Sequence, residues 1–139
     1  MDIKHSIVIK GSVDKVLSVM ADVERWPEFL SSHQKVRIVS KEQNKIIIEW
    51  IWKIKWRSLI TIYPKDRKIR SELMNWPAKG LTADWIFEEV IEGTKMTAIH
   101  NFNPEAPIIG GLLKLIAKDI LNKMSPNTLK ALKERIEKR

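Results

Sequence analysis

The chain has 139 residues, contains no cysteine, and carries 25 lysine and arginine residues against 17 acidic ones, a net charge of +8. The absence of thiols excludes disulfides, thiolate metal sites and cysteine nucleophiles. The length predicts one domain over residues 1–139, and no apolar run approaches the roughly 20 residues that cross a bilayer. The amino terminus lacks the apolar segment of a signal peptide, so we expect a cytoplasmic protein.

The chain begins with the pattern of one strand and two short helices. Alternate residues from Ile3 to Ile9 are apolar or histidine, which predicts a half-buried strand. Ser12 is suited to cap a following helix, because its hydroxyl can accept a hydrogen bond from a backbone N–H of the first turn. The apolar face of that helix consists of Val13, Val16, Leu17 and Met20. Pro27 fits the first turn of a second short helix, anchored by Trp26, Phe29 and Leu30.

From about Gln34 the apolar residues recur at every second position, which predicts six strands in a meander. The clearest alternation places six residues on one face: Ile46, Ile48, Trp50, Trp52, Ile54 and Trp56. A single strand continued to Tyr63 would be about 60 Å long, so we expect a turn within Lys55–Ser58. Further turns are predicted at Gln43–Asn44, Pro64–Arg67 and Glu92–Gly93. The inward faces of the last two strands are Leu81, Ala83, Trp85 and Phe87, then Met96, Ala98, His100 and Phe102.

A long amphipathic helix is predicted from Ile108 to Arg139, where about 30 residues would span roughly 45 Å. Its first half has an apolar stripe with helical spacing: Ile109, Leu112, Leu113, Ile116 and Ile120. Pro126 removes a backbone N–H from this segment. We therefore expect a kink there, or a restart of the helix with Ser125 as its cap.

An antiparallel sheet with one apolar face and a long amphipathic helix can bury both surfaces if the sheet curls around the helix. The chain resembles the helix-grip (SRPBCC) superfamily of START domains, the birch-pollen allergen group, polyketide cyclases and coenzyme-Q-binding proteins. The resemblance covers essentially the whole chain, and its most specific segment, Asp22-Val-Glu-Arg-Trp-Pro27, is similar to the polyketide-cyclase and coenzyme-Q-binding branches. The other matching segments are Ser6–Ser12, Trp85–Glu88 followed by Gly93–Thr94, and Leu129–Lys133.

The resemblance implies an α+β helix-grip fold. In this fold a curved antiparallel sheet of about seven strands is wrapped around a long C-terminal helix, and two short helices follow strand 1. It also implies a pocket between the concave face of the sheet and the final helix, in which relatives hold lipids, quinones or polyketides. Strand parity and the helical stripe select the residues that would line it: Ile48, Trp50, Trp52, Ile60, Trp85, Phe87, His100, Phe102, Leu112, Leu113 and Ile116. The same large side chains could instead fill the space as core, and the sequence leaves both outcomes open.

For catalysis the sequence offers one inward candidate, His100, which lies between Ala98 and Phe102 on its face. A neutral imidazole in an apolar pocket can move a proton or bind a carbonyl, although such a histidine is more often a core residue. The remaining candidates, Glu49, Arg57, Tyr63 and Asp84, fall on the wetter parity. The three histidines have no metal-binding spacing, so no metal is predicted, and no cofactor is predicted either.

Three functions follow from these observations. We expect a carrier or chaperone of a hydrophobic small molecule. The alternatives are a polyketide cyclase or aromatase that uses His100 as acid or base, and a protein that contacts RNA, the ribosome or an anionic membrane surface through its basic residues. The oligomeric state is not determined by the sequence.

Overall fold

The computed structural model describes residues 2–28, 35–51, 55–75, 79–103 and 110–138. Helix α1 covers Val13–Ala21, a 3-10 helix covers Val23–Glu28, and helix α2 covers Gly110–Glu137. The strands are β1 Asp2–Ile9, β2 Lys35–Glu42, β3 Lys45–Ile51, β4 Lys55–Tyr63, β5 Lys68–Leu73, β6 Leu81–Val90 and β7 Gly93–Phe102.

The seven strands form one antiparallel sheet in the order β1-β7-β6-β5-β4-β3-β2. Strands β2 to β7 follow one another as a meander, and β1 pairs with β7 at the far edge. The curved sheet and the long C-terminal helix confirm the predicted α+β helix-grip fold. The two short helices after β1 are also present, the second as a 3-10 helix in which Pro27 lies near the end rather than in the first turn.

The predicted hairpin turns at Gln43–Asn44 and Pro64–Arg67 are present, and Gln43 and Arg67 adopt left-handed backbone angles there. The turn predicted at Lys55–Ser58 is wrong, because these four residues belong to β4. No glycine, proline or asparagine marks that turn in the sequence, so its position depends on cross-strand pairing. Ile46 lies opposite Ile60 in this register, which places β3 and β4 with their apolar faces on the same side.

Helix α1 covers part of the inward face of the sheet. The Ser12 hydroxyl accepts a hydrogen bond from the Lys15 N–H at 3.2 Å, which confirms the predicted cap. The core combines buried residues of α1, the sheet and the end of α2, among them Val13, Val16, Met20, Ile46, Ile60, Ile69, Met96, Leu129, Leu132 and Ile136. The inward faces predicted for β3, β6 and β7 agree with this burial.

The C-terminal half of α2 packs against β1, with Leu132 fully buried and the Lys133 Nζ donating to the Val8 carbonyl at 2.7 Å. The helix runs unbroken through Pro126, so the predicted restart with Ser125 as cap is wrong. Residues before and after the proline, Leu121 and Leu129, are both buried, and their packing offsets the hydrogen bond that proline cannot make. Among the described residues no helix is both long and apolar enough to cross a membrane.

The outward face of the sheet carries cross-strand ion pairs. Glu49 lies opposite both Arg37 and Arg57, and its carboxylate accepts hydrogen bonds from them at 3.0 and 3.2 Å. These two hydrogen bonds hold the pKa of Glu49 below its usual range, and the bond from Arg37 has the largest effect. The parity prediction of an outward position for Glu49 is correct, but the two arginines shield the carboxylate from water.

Candidate functional site: the concave aromatic face

The predicted lining residues divide into four groups, the last of which, Leu112 and Ile116, is exposed. Four of them are buried within the core: Ile48, Ile60, Phe87 and Phe102. Trp50 and Trp85 are half-buried, and His100 is 8% exposed. Trp52 and the side chain of Leu113 lie outside the described residues. The structure therefore places two tryptophans and one histidine together on the inward face, with a packed hydrophobic core beside them.

Leu112 and Ile116 are not brought into the core. Their exposed fractions are 60% and 48%, and they lie on the opposite side of α2 from Leu121 and Ser125, which are buried. The described part of the stripe chosen from the sequence is therefore exposed and does not contribute to the core. Periodicity alone identifies an apolar face but does not say which partner covers it.

Three tryptophans form a row of ring contacts across the inward face. The ring centroid of Trp26 lies 6.0 Å from that of Trp50 and 5.6 Å from that of Trp85, the second pair in an edge-to-face arrangement. The Trp26 indole N–H donates to the Met20 carbonyl at 2.9 Å, which fixes the central ring. Trp26 was predicted only as an anchor of the second short helix, and the sequence gives no sign that its ring reaches the two sheet tryptophans.

The row ends at His100, whose ring centroid is 6.5 Å from that of Trp85 in an edge-to-face contact. Burial lowers the pKa of His100 from 6.5 to about 4, and the neighbouring imidazole of His5 acts in the same direction. At neutral pH the imidazole of His100 is therefore uncharged, with one nitrogen able to donate and one able to accept. A neutral imidazole beside aromatic rings can bind a polar group or transfer a proton.

His5 is the functional candidate that the sequence did not single out. It lies on the inward parity of β1, and the pairing of β1 with β7 places it beside Ala98 and diagonal to His100. The Nδ1 atoms of both histidines are shielded from solvent and have no hydrogen-bond partner among the described residues. The alternation along β1 predicted that His5 faces inward, but the pairing of β1 with β7 could not be predicted from a local pattern.

Neither the histidines nor the acidic groups form a metal site in the part of the chain that the structure describes, where no three such side chains come together. A separate open groove of about 400 Å³ lies between α1, the 3-10 helix and the β2–β3 hairpin. Charged residues of both signs line it, including Asp22, Glu24 and Lys41, and none of its described lining residues is aromatic. The aromatic face is therefore the better match to the predicted pocket.

A curved seven-stranded antiparallel sheet that grips a long C-terminal helix defines the helix-grip fold. The chain belongs to the family described as polyketide cyclase / dehydrase and lipid transport, whose model matches residues 9–127.

Among curated proteins, the chain is similar to a candidate polyketide cyclase of Streptomyces cyaneus, with 27% identity over an alignment of 146 positions. The match covers 96% of this chain and 92% of the relative. The Zhui aromatase/cyclase from Streptomyces sp. R1128 has the same fold, with a TM-score of 0.87 at 18% identity over 100% of this chain and 94% of that one. The di-domain ARO/CYC StfQ of the steffimycin biosynthetic pathway is also similar, with a TM-score of 0.79 at 21% identity. This match covers 99% of our chain and 51% of StfQ. The structural similarities support the fold.

Proposed function

We propose that the protein binds a flat hydrophobic small molecule on the concave aromatic face and acts as its carrier or chaperone. The observation that carries this proposal is the row of Trp50, Trp26 and Trp85 on the inward face of the sheet. Relatives named as polyketide cyclases make a polyketide-like ligand the first choice, with lipids and quinones as further candidates.

The burial of the tryptophans supports a binding role rather than simple packing. Trp26 is buried and fixed by its hydrogen bond, whereas the rings of Trp50 and Trp85 are only half-buried. Aromatic side chains gain free energy when a flat apolar surface covers them, both from the area removed from water and from ring–ring contact. A planar ligand laid along the row would cover rings that the protein itself leaves partly uncovered.

The test is mass spectrometry of gently purified protein, recorded first under native and then under denaturing conditions. We expect a mass excess that disappears on denaturation and belongs to a hydrophobic molecule. Protein found without such an excess is then titrated with a planar aromatic probe, 2-naphthol. Failure to bind this probe at its solubility limit would overturn the proposal.

Two substitutions locate the binding surface. Trp85→Ala removes one ring of the row and should weaken probe binding about tenfold, since the substitution removes aromatic contact area. Tyr63→Ala removes an exposed aromatic ring on the outward parity of β4 and should leave binding unchanged. Equal losses in the two variants would place the ligand elsewhere.

The neutral state of His100 favours one second candidate, a cyclase of the kind for which the relatives are named. The imidazole would accept a proton from an acidic C–H of a polyketone, the resulting carbanion would attack a carbonyl of the same molecule, and the imidazolium would return the proton to the new alkoxide. His100→Ala separates the two functions. Turnover that is lost while binding is kept supports the enzyme, whereas unchanged behaviour leaves His100 as a structural residue.

Contact with RNA or an anionic membrane stays a prediction that rests on the net charge of +8. Its test is salt dependence, because binding through phosphates weakens steeply and log-linearly as salt increases.

A further inference from the structure

The inward face of β1 and β7 brings two histidines together at one end of the tryptophan row. In the antiparallel register Ile3 lies opposite His100 and His5 lies opposite Ala98, so the two imidazoles are diagonal neighbours on one face. Diagonal positions are about 7–8 Å apart at the backbone, so two ring side chains on one face can approach each other.

Both imidazoles have a buried nitrogen without a hydrogen-bond partner in the described part of the chain. The Nδ1 atoms of His5 and His100 are shielded from solvent and unpartnered among the described residues, and the His100 residue is 8% exposed. A buried polar atom without a partner costs free energy, and two adjacent ones on the face of a candidate ligand site require an explanation. A shared partner between the rings would satisfy both nitrogens.

The surroundings define the chemistry of that partner. Trp85 contacts His100 edge-on, and the indole N–H of Trp26 is already donated to the Met20 carbonyl. The row of rings therefore offers apolar contact along its length and imidazole nitrogens at its end. With His100 neutral, a hydroxyl or enol can donate to one imidazole nitrogen and accept from the N–H of the other, and a carbonyl oxygen can accept from N–H groups. A hydrocarbon group can do neither.

We propose that His5 and His100 form a polar subsite for one oxygen substituent of the ligand, and that His5 sets the preference for oxygenated over hydrocarbon ligands. This inference rests on the proposed function, because it concerns the same binding face. It assigns a role to His5, a residue of β1, and it defines the orientation of the ligand, with the oxygen at the β1–β7 edge and the apolar part along the tryptophans.

The test compares two probes of the same shape, 2-naphthol and 2-methylnaphthalene, by isothermal titration calorimetry on the full chain. We expect the wild-type protein to bind 2-naphthol about tenfold more tightly, a ratio that corresponds to one or two net hydrogen bonds. His5→Phe keeps a ring but removes the nitrogens, so the ratio should fall to about one while 2-methylnaphthalene still binds. His5→Asn keeps a polar group near the Nδ1 position and should restore part of the preference.

The control is Val8→Phe, which adds the same ring to the other face of β1 and should leave the ratio unchanged. Circular dichroism of each variant establishes that it is folded, and a His5→Leu variant replaces His5→Phe if the latter is not. Equal binding of the two probes by wild-type protein would overturn the subsite and leave the proposed function standing. A preference that survives His5→Phe would overturn the role of His5, and failure of both probes to bind would count against the proposed function itself.

Discussion

At the residue scale, the informative side chain is the imidazole of His100. Its burial lowers its pKa to about 4, and its Nδ1 has no partner among the described residues. An unpaired buried polar atom costs on the order of 1–3 kcal/mol, a cost that a leucine or methionine at the same position would not carry. A residue that weakens the fold but faces a row of aromatic rings is typical of a functional site.

The lowered pKa predicts a loss of stability in mild acid. The unfolded chain binds a proton at His100 below about pH 6.5, whereas the folded protein binds it only near pH 4, so protonation favours unfolding in between. This contribution to the free energy of unfolding is present above pH 6.5 and decreases as the pH falls towards 4. Between pH 7 and pH 5 we expect a loss of about 2 kcal/mol, measured by urea unfolding.

The variant His100→Gln provides the comparison for this prediction. Glutamine does not titrate, so the pH dependence between 7 and 5 should be flatter than that of the wild-type protein by about 2 kcal/mol. Equal losses in the two proteins would show that His100 titrates normally.

At the element scale, helix α2 has two halves with different surroundings. Leu132 in the second half is 0% exposed, whereas Leu115 in the first half is 67% exposed. Leu132→Ala should lower the free energy of unfolding by about 2–5 kcal/mol, because it leaves a cavity in the packed core. Leu115→Ala is the matched control and should change it by less than about 0.5 kcal/mol. Similar values for the two variants in urea unfolding would contradict the described placement of α2.

Pro126 allows a second prediction about the same helix. Because α2 is continuous and Pro126 lies exposed within it, Pro126→Ala restores a backbone donor and removes a steric conflict. We expect this substitution to raise the free energy of unfolding by about 1–3 kcal/mol, as measured by urea unfolding. A decrease in the free energy of unfolding would contradict this prediction and would indicate that Pro126 ends one helix and begins another.

At the scale of the whole molecule, the proposed function couples ligand binding to folding. A ligand that occupies the face between sheet and helix binds only the folded chain, so it stabilises that chain by mass action. At a concentration about 100 times its dissociation constant, the stabilisation is about 2.7 kcal/mol, or on the order of 8 °C in the unfolding temperature. Differential scanning fluorimetry with 2-naphthol should show this shift in the wild-type protein, and a smaller one in Trp85→Ala at the same ligand concentration. Equal shifts in both proteins would argue against binding along the tryptophan row.

Much of the fold could be predicted because local patterns and burial agree. The alternation of apolar and polar residues along a strand indicates which side chains face inward. Ile46, Ile48 and Ile60 are buried, as this alternation predicts. Ser12 caps α1 as expected because capping involves only residues three apart. The turn between β3 and β4 was misplaced because no local residue determines it, and only the pairing of the two strands does.

Local periodicity and the resemblance to a known family were enough to predict the inward faces of β3, β6 and β7, the helix-grip class and the position of His100 on the concave face. Which residues lie together depends on the tertiary structure. The pairing of β1 with β7 brings His5 to His100, the 3-10 helix carries Trp26 between two sheet tryptophans, and Leu112 and Ile116 are exposed rather than part of the core. Contacts between distant parts of a chain depend on the packing of all its elements together, so they cannot be predicted from a local sequence pattern.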